Sequence, residues 1–210
     1  MRQLRGLFIV ISLFCLLLQQ ALAANTYQVT VKGQKAGRAV LSIQQDDSTY
    51  QVKLSLFPVL LAKMFGIDDM TETAKGVVRN GHLYPQHYQR LDKKDQPLLS
   101  VKFGGQQAHI DSAEDGKKTL PIHKKGQDPL SQMAQIAYDL KHDTLQDSYY
   151  LVTENSQQRY AAKKQGQKVT LTQQPSKKRQ LILWFDAQYQ LIKMQKNKKD
   201  KVHFLMEKTE

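Results

Sequence analysis

The chain has 210 residues, with 31 Lys and Arg against 19 Asp and Glu, a net charge of +12 at pH 7, and a single cysteine, Cys15. One cysteine excludes an internal disulfide, so burial of apolar side chains must hold the fold together. The sequence contains no internal repeat, low-complexity tract or long linker, and its length suits one domain with a sizeable core.

The N-terminus is typical of a cleavable export signal. Two arginines precede an apolar run from Leu7 to Leu18, and Ala21-Leu22-Ala23 supplies the small residues before a cut. As a helix this run would span about 18 Å, which is short of a bilayer core. We expect cleavage between Ala23 and Ala24 and a periplasmic location. The signal peptide is then residues 1–23, and the single β-rich domain is residues 24–210.

Most of the domain consists of short alternating segments separated by turn residues. The first is Tyr27, Val29 and Val31, and similar segments continue to the C-terminus, with Asn80-Gly81 marking a hairpin. About a dozen such strands predict an antiparallel sheet, sandwich or barrel, in which each strand has one wet and one dry face.

One segment between these strands has a helical pattern. Its apolar residues follow the spacing of a helix face, and Pro58 and Gly66 suit the first and last positions of a helix over about residues 57–66. This face either packs into the sheet as core or forms the mouth of an apolar cavity that adapts to acyl chains. The residues of this hypothetical lining are Phe57, Leu60, Leu61, Met64 and Phe65.

A longer helix is predicted over about residues 129–142. Asp128 suits the N-cap and Pro129 the first helical position, while Lys141 and His142 lie at the negative C-terminal end. Leu130, Met133, Ala134, Ala137 and Leu140 mark one face. We expect this helix to cover one open side of the sheet.

The order of these motifs resembles a bacterial exported family, domain of unknown function 3108. The matching positions are Gly76, Gly81, Pro85, Tyr88, Asp128, Leu130, Ser131, Trp184 and Phe185. Leu191 stands near the position where family members often have proline. The resemblance implies a mainly β fold, with a curved antiparallel sheet or half-barrel around a helix, and implies almost nothing about chemistry.

No motif for catalysis, for a cofactor or for a metal ion is present. The chain lacks Gly-x-Ser-x-Gly, a Ser-x-x-Lys at a helix start, His-Glu-x-x-His and a Gly-rich phosphate loop. His82 and His87 are five residues apart on a strand and should point to opposite faces. His109 and Asp111 share a face, but no nucleophile motif accompanies them. We expect a protein without catalytic residues, and a hydrolase of unrecognised type is the least supported alternative.

The excess positive charge lies in the C-terminal half. Residues 155–201 hold 12 Lys and Arg against two acidic residues. This excess either forms a solvated basic face that aids solubility or binds an anionic partner, which for an exported chain would be head groups or acidic polymers rather than nucleic acid. The hypothetical patch for such a partner is Lys163, Lys164, Lys177, Lys178, Arg179, Lys196, Lys198 and Lys199.

Two functions follow from these features. The first is a soluble periplasmic protein that binds a hydrophobic or amphipathic envelope molecule, such as a lipid or a lipopolysaccharide-type amphiphile, without catalysis. The alternative is an envelope interaction protein whose basic half binds anionic polymer, a membrane surface or a protein partner. The sequence gives no oligomeric state.

Overall fold

The computed structural model describes residues 24–64 and 68–209, apart from the side chain of Leu61. The predicted signal peptide and Phe65 lie outside the described residues. No helix in the described part of the chain is long and apolar enough to cross a membrane.

The described residues form one large, open sheet of 15 strands with two helices. Nine strands, the last of which is the two-residue β9, precede the longer helix α2, and the short helix α1 lies between β3 and β4. The other six strands follow α2. The elements in chain order are β1 (Ala24–Val31), β2 (Gln34–Gln45), β3 (Thr49–Pro58), α1 (Leu60–Met64), β4 (Met70–Arg79), β5 (His82–Asp92), β6 (Pro97–Gly104), β7 (Gln107–Ser112), β8 (Gly116–Pro121), β9 (Gly126–Gln127), α2 (Pro129–Lys141), β10 (Ser148–Val152), β11 (Gln157–Gln165), β12 (Lys168–Gln174), β13 (Arg179–Phe185), β14 (Leu191–Lys198) and β15 (Lys201–Lys208).

The strand order is β8-β7-β6-β5-β4-β3-β2-β1-β15-β14-β13-β12-β11-β10-β9, so the C-terminal strand pairs with the N-terminal one. All pairs are antiparallel except β9 with β10. The predicted hairpin at Asn80-Gly81 is confirmed, because both residues have positive φ (49° and 72°) in the turn between β4 and β5. The predicted curved antiparallel sheet is confirmed.

The two edges of the sheet are linked by side chains rather than by a strand ladder. Ser112 donates a hydrogen bond to Glu154, and Lys118 donates one to Asn155. The Gln157 side chain accepts a hydrogen bond from the backbone N–H of His123 at 2.8 Å. These contacts bring β7 and β8 against the segment before β11 and give the open sheet its half-barrel form.

Helix α2 covers the inside of this half-barrel, as predicted. It contacts β3, β4, β5, β9 and β10, and Leu130, Met133, Ala134, Ile136 and Leu140 are buried there. The inner faces of the strands supply the rest of the core, with Val29, Val52, Leu83, Ile110 and Leu171 fully or almost fully buried. Alternation therefore places one face of each strand in this core.

The predicted short helix needs correction at its N-terminus. Phe57 and Pro58 are the last residues of β3, and α1 begins only at Leu60. Phe57 pairs with Arg38 across β2 and β3, and Pro58 pairs with Gly37. The ladder hydrogen bonds of this pairing take precedence over the helical spacing, so the residues follow the strand up to the proline.

Candidate ligand-binding cleft

A cleft of about 780 Å³ opens between α2 and the inner face of the sheet. It lies at the end of the half-barrel where the β2–β3, β4–β5 and β13–β14 turns meet. Its lining combines apolar side chains from the strands and the helix with polar side chains from those turns: Asn25, Tyr27, Leu41, Ile43, Gln44, Gln45, Asp46, Asp47, Val78, Asn80, Gly81, Ala134, Ala137, Tyr138, Lys141, His142, Gln188, Tyr189, Gln190 and Leu191.

The floor of the cleft is apolar and firmly held. Tyr27, Leu41 and Leu191 are buried, and the Tyr27 hydroxyl donates a hydrogen bond of 2.7 Å to the carbonyl of Leu191. Burial, with a contribution from the charge of Asp186, raises the pKa of Tyr27 well above its usual value, so this hydroxyl stays protonated and keeps donating. The bond ties β1 to the start of β14 across the floor.

One wall is the face of α2. Ala134 and Ala137 are small, so the helix leaves open space toward the sheet at these two positions. Beyond them the rings of Tyr138 and His142 stack with centroids 4.1 Å apart, and His142 Nδ1 lies 2.8 Å from the Tyr138 carbonyl oxygen. The wall therefore changes from apolar to polar along the helix, ending at Lys141 and His142.

The rim on the opposite side is acidic. Asp46 Oδ1 accepts hydrogen bonds from the backbone N–H groups of Ser48 and Thr49, each at 2.7 Å. These bonds hold the pKa of Asp46 well below its usual range, so the carboxylate is ionised at every physiological pH. A ligand in the cleft would meet an apolar interior, a cationic end at Lys141 and an anionic rim at Asp46 and Asp47.

A buried polar network fixes the start of α2. Asp128 has extended backbone angles (φ −70°, ψ 169°) and accepts from the N–H groups of Leu130 and Ser131 at 3.0 and 2.9 Å. It also accepts from the Ser131 hydroxyl at 2.5 Å, and that hydroxyl lies 2.7 Å from the hydroxyl of Tyr50 on β3. The predicted N-cap is thus confirmed and also ties the helix to the sheet.

A second network holds the middle and the end of α2. The Gln135 side chain accepts from the N–H of Leu83 at 2.6 Å and donates to the carbonyl of Gly81 at 3.2 Å and to Asp139 at 2.7 Å. Asp139 also accepts from the Tyr149 hydroxyl at 2.6 Å. Because β5 and β10 both hold the helix, the cleft wall is a fixed surface.

The structure places the predicted apolar lining elsewhere. Leu60 and Met64 are 77% and 75% exposed, and Phe57 is 38% exposed beneath the guanidinium of Arg38. Leu60 and Met64 are therefore not core, and neither lines the cleft of about 780 Å³, whereas the hypothesis that they form the mouth of an apolar cavity stays a prediction. The side chain of Leu61 and all of Phe65 lie outside the described residues.

The structure separates the predicted basic patch into three parts. Lys178, Arg179, Lys198 and Lys199 line one pocket of about 260 Å³, with Lys177 in the adjoining turn. Lys163 and Lys164 lie toward the other end of β11, where Lys164 binds Asp143 at 2.9 Å. Lys196 lies in the ladder opposite Leu181 and Phe204.

The titratable residues weighed for chemistry are engaged separately. His109 lies 3.0 Å from the Thr119 hydroxyl, whereas Asp111 pairs with Lys117 at 3.6 Å, so the two do not form a pair with each other. His82 is buried against Tyr84, and burial with the charge of Lys125 lowers its pKa to about 4. No group of three His, Cys, Asp or Glu side chains suited to a metal ion occurs in residues 24–64 and 68–209.

Local sequence patterns do not mark the residues that line the cleft as a site. Ile43 belongs to a strand that was predicted, and Ala134 and Ala137 to a predicted helix face. Which end of the sheet the helix covers depends on pairings such as Tyr50 with Ser131, which are 81 residues apart and leave no local signal.

Comparisons with known proteins find a matching family and a structure of low similarity. The model of the family described as "Protein of unknown function (DUF3108)" matches residues 26–202. The crystal structure of a β-barrel-like protein of domain of unknown function DUF1849 from Brucella abortus is similar at a TM-score of 0.47 and 10% identity, over 89% of this chain and 94% of that one. Among curated proteins, none matches the chain.

Proposed function

The chain belongs to the DUF3108 family, whose description names no activity, and we propose from its own cleft that it binds an amphipathic envelope molecule in the periplasm without transforming it. The observation that carries this proposal is the cleft of about 780 Å³ with an apolar floor and a charged rim. Small-molecule sites are commonly concave, a few hundred to a thousand cubic ångströms in volume, and combine apolar side chains with polar groups that orient the ligand.

The two-part lining suits a molecule with an apolar part and a polar part. Leu41, Ile43 and Leu191 would contact an acyl or other apolar portion, and burial of that portion would supply most of the affinity. Lys141 at the cationic end of the cleft would pair with an anionic head group. These contacts suit holding such a molecule, and the proposed role is binding.

The test is binding of a dansyl-labelled fatty acid, followed by its fluorescence, with a matched pair of variants. Ile43→Asp places a charge in the apolar lining of the cleft, whereas Ile192→Asp makes the same change outside the cleft, and both isoleucines are 38% exposed. We expect saturable binding by the wild type and by Ile192→Asp, and at least about tenfold weaker binding by Ile43→Asp, because a charge in the acyl path is costly to desolvate.

Absence of saturable binding by the wild type would contradict the proposal. So would an equal loss in the two aspartate variants, because the effect would then follow from the substitution and not from the cleft. Native mass spectrometry with lipid extraction, on protein purified gently from the periplasm, would identify the bound class.

A further inference from the structure

Several loops and α1 lie together at the end of the half-barrel opposite the cleft. Strand β1 ends here at Val31, which pairs with Gln34 of β2 and with Phe204 of β15. Pro58 at the end of β3 pairs with Gly37 near the start of β2, so α1 projects from this same end. We call it the basal end, defined by α1 and the β12–β13 and β14–β15 turns.

The basal end carries a pocket lined by cations. Arg179 and Lys198 are direct cross-strand partners, and the N–H of Lys199 donates to the carbonyl of Lys178 at 2.9 Å, which joins the two turns. Like charges directly opposite each other destabilise a sheet. The fold holds four cations around about 260 Å³: Lys178, Arg179, Lys198 and Lys199, with Gln158, Gln173 and Ser176 completing the lining.

The described residues supply no counter-charge to this pocket. None of their ion pairs involves the four cations, and Asp200, in the same turn as Lys199, does not line the pocket. Its polar neighbours are already hydrogen-bonded to each other: Gln173 donates to Gln158 at 3.1 Å and accepts from Ser176 at 3.1 Å. The pocket therefore presents positive charge in a preformed cradle.

Lys196 lies on the same strand as Lys198 of the pocket. The Lys196 ammonium lies 5.3 Å from the centroid of the Phe204 ring, and desolvation by the surrounding strands lowers the pKa of Lys196. Glu72, whose charge opposes this shift, already accepts a hydrogen bond from Arg90 Nε at 3.0 Å. Among the described residues, Lys196 forms no ion pair.

Helix α1 adds exposed apolar side chains to the same end. Leu60 and Met64 project into solvent, and the acidic residues that follow are paired, Asp69 with Lys63 at 2.5 Å and Asp68 with Lys93 at 3.6 Å. Exposed apolar groups beside basic groups are the two components of binding to a membrane interface.

We infer that the basal end binds the surface of an anionic phospholipid bilayer, with Leu60 and Met64 entering the boundary between head groups and acyl chains and a lipid phosphate occupying the basic pocket. The charge complementarity of the pocket selects this occupant over a neutral surface. The inference is independent of the cleft, which lies at the other end of the molecule.

The test is flotation of the mature chain with phosphatidylcholine vesicles, with and without phosphatidylglycerol. We expect binding only to the anionic vesicles, and a steep loss in high salt because exposed charges are screened. The pocket variant, Lys178→Glu with Lys199→Glu, should bind at least about tenfold more weakly, because each cation near a membrane contributes appreciably to binding. The helix variant, Leu60→Asp with Met64→Asp, should also lose binding, because it removes the apolar side chains that enter the membrane. All four side chains substituted in the two variants are exposed, so the core is left unchanged.

The matched control is Lys53→Glu with Lys102→Glu, which makes the same change in net charge at two exposed lysines outside the pocket. An equal loss in this control would overturn the inference, because net charge alone would then explain binding. Failure of the wild type to float with anionic vesicles would also overturn it. Calorimetry with inorganic phosphate separates the two sources of the anion. If the wild type binds phosphate, the pocket variant does not, and the wild type does not bind vesicles, the pocket binds a free anion and the proposed membrane binding is refuted.

Discussion

The Asp128 carboxylate is buried at the start of α2 and accepts hydrogen bonds from Leu130, from the Ser131 backbone and from the Ser131 hydroxyl. Burial raises its pKa to about 6 in spite of these bonds, which act in the opposite direction. The folded protein therefore binds a proton at this site in a pH range where the unfolded chain, with an ordinary Asp pKa, has released it.

This raised pKa predicts a pH-dependent effect of Asp128→Asn. The stability contributed by the protonated carboxyl is fully present below about pH 4 and is lost as the pH rises through about 6. Asparagine keeps a cap acceptor and does not ionise. The free energy of unfolding of the variant relative to the wild type should therefore rise by about 2 kcal/mol between pH 4 and pH 7, as measured by urea unfolding at each pH.

Asp128→Ala serves as the control for the cap itself. It should cost about 2 kcal/mol, the upper end for an N-cap, because the donors that it leaves are buried. If the difference between the asparagine variant and the wild type is the same at both pH values, the raised pKa is wrong.

At the scale of elements, β4 and β5 meet at a bulge that depends on Gly76. The pairing shifts between Lys75 and Gly76, and Gly76 lies opposite Pro85. A side chain at Gly76 would overlap the Tyr84 carbonyl oxygen and lie 2.9 Å from Pro85 Cα and 2.8 Å from the Tyr50 ring. Proline is tolerated in a strand at such a bulge, because the ladder is already interrupted there.

Gly76→Ala is therefore expected to destabilise the fold by about 3 kcal/mol or more, since backbone and a buried ring must both move. Gly104→Ala, in β6, is the matched control: its added methyl group would meet nothing within 4 Å. We expect the control to change the free energy of unfolding by less than about 0.5 kcal/mol. Thermal or urea unfolding of the two variants decides this, and equal effects would contradict the close packing at Gly76.

The two helices show what the sequence could predict about elements. Asp128, Pro129 and the apolar face of α2 are local signals, so the bounds of that helix were predicted almost to the residue. The segment after Leu56 also has helical spacing, but Phe57 and Pro58 pair with β2, and this distant pairing decides the structure. The spacing of apolar residues within a segment carries no information about which strand lies alongside that segment.

At the scale of the whole molecule, the half-barrel has two ends with different chemistry. One end holds the cleft beneath α2, and the basal end holds α1 and the basic pocket. The β fold could be predicted from the sequence, and the concentration of positive charge in residues 155–201 is visible in it directly. The cleft could not, because its floor and wall come from β1, β2, β14 and α2 and meet only through the order of the strands.

The most direct test of the amphiphile-binding cleft is photo-crosslinking of the wild type with a diazirine-labelled fatty acid, followed by tryptic peptide mapping. Trypsin releases residues 126–141, which contain α2, as one peptide, and divides α1 between residues 54–63 and 64–75. Binding in the cleft predicts saturable labelling of the peptide 126–141, suppressed by unlabelled fatty acid. Labelling confined to the peptides 54–63 and 64–75 would place the acyl chain at α1 and contradict the proposed cleft.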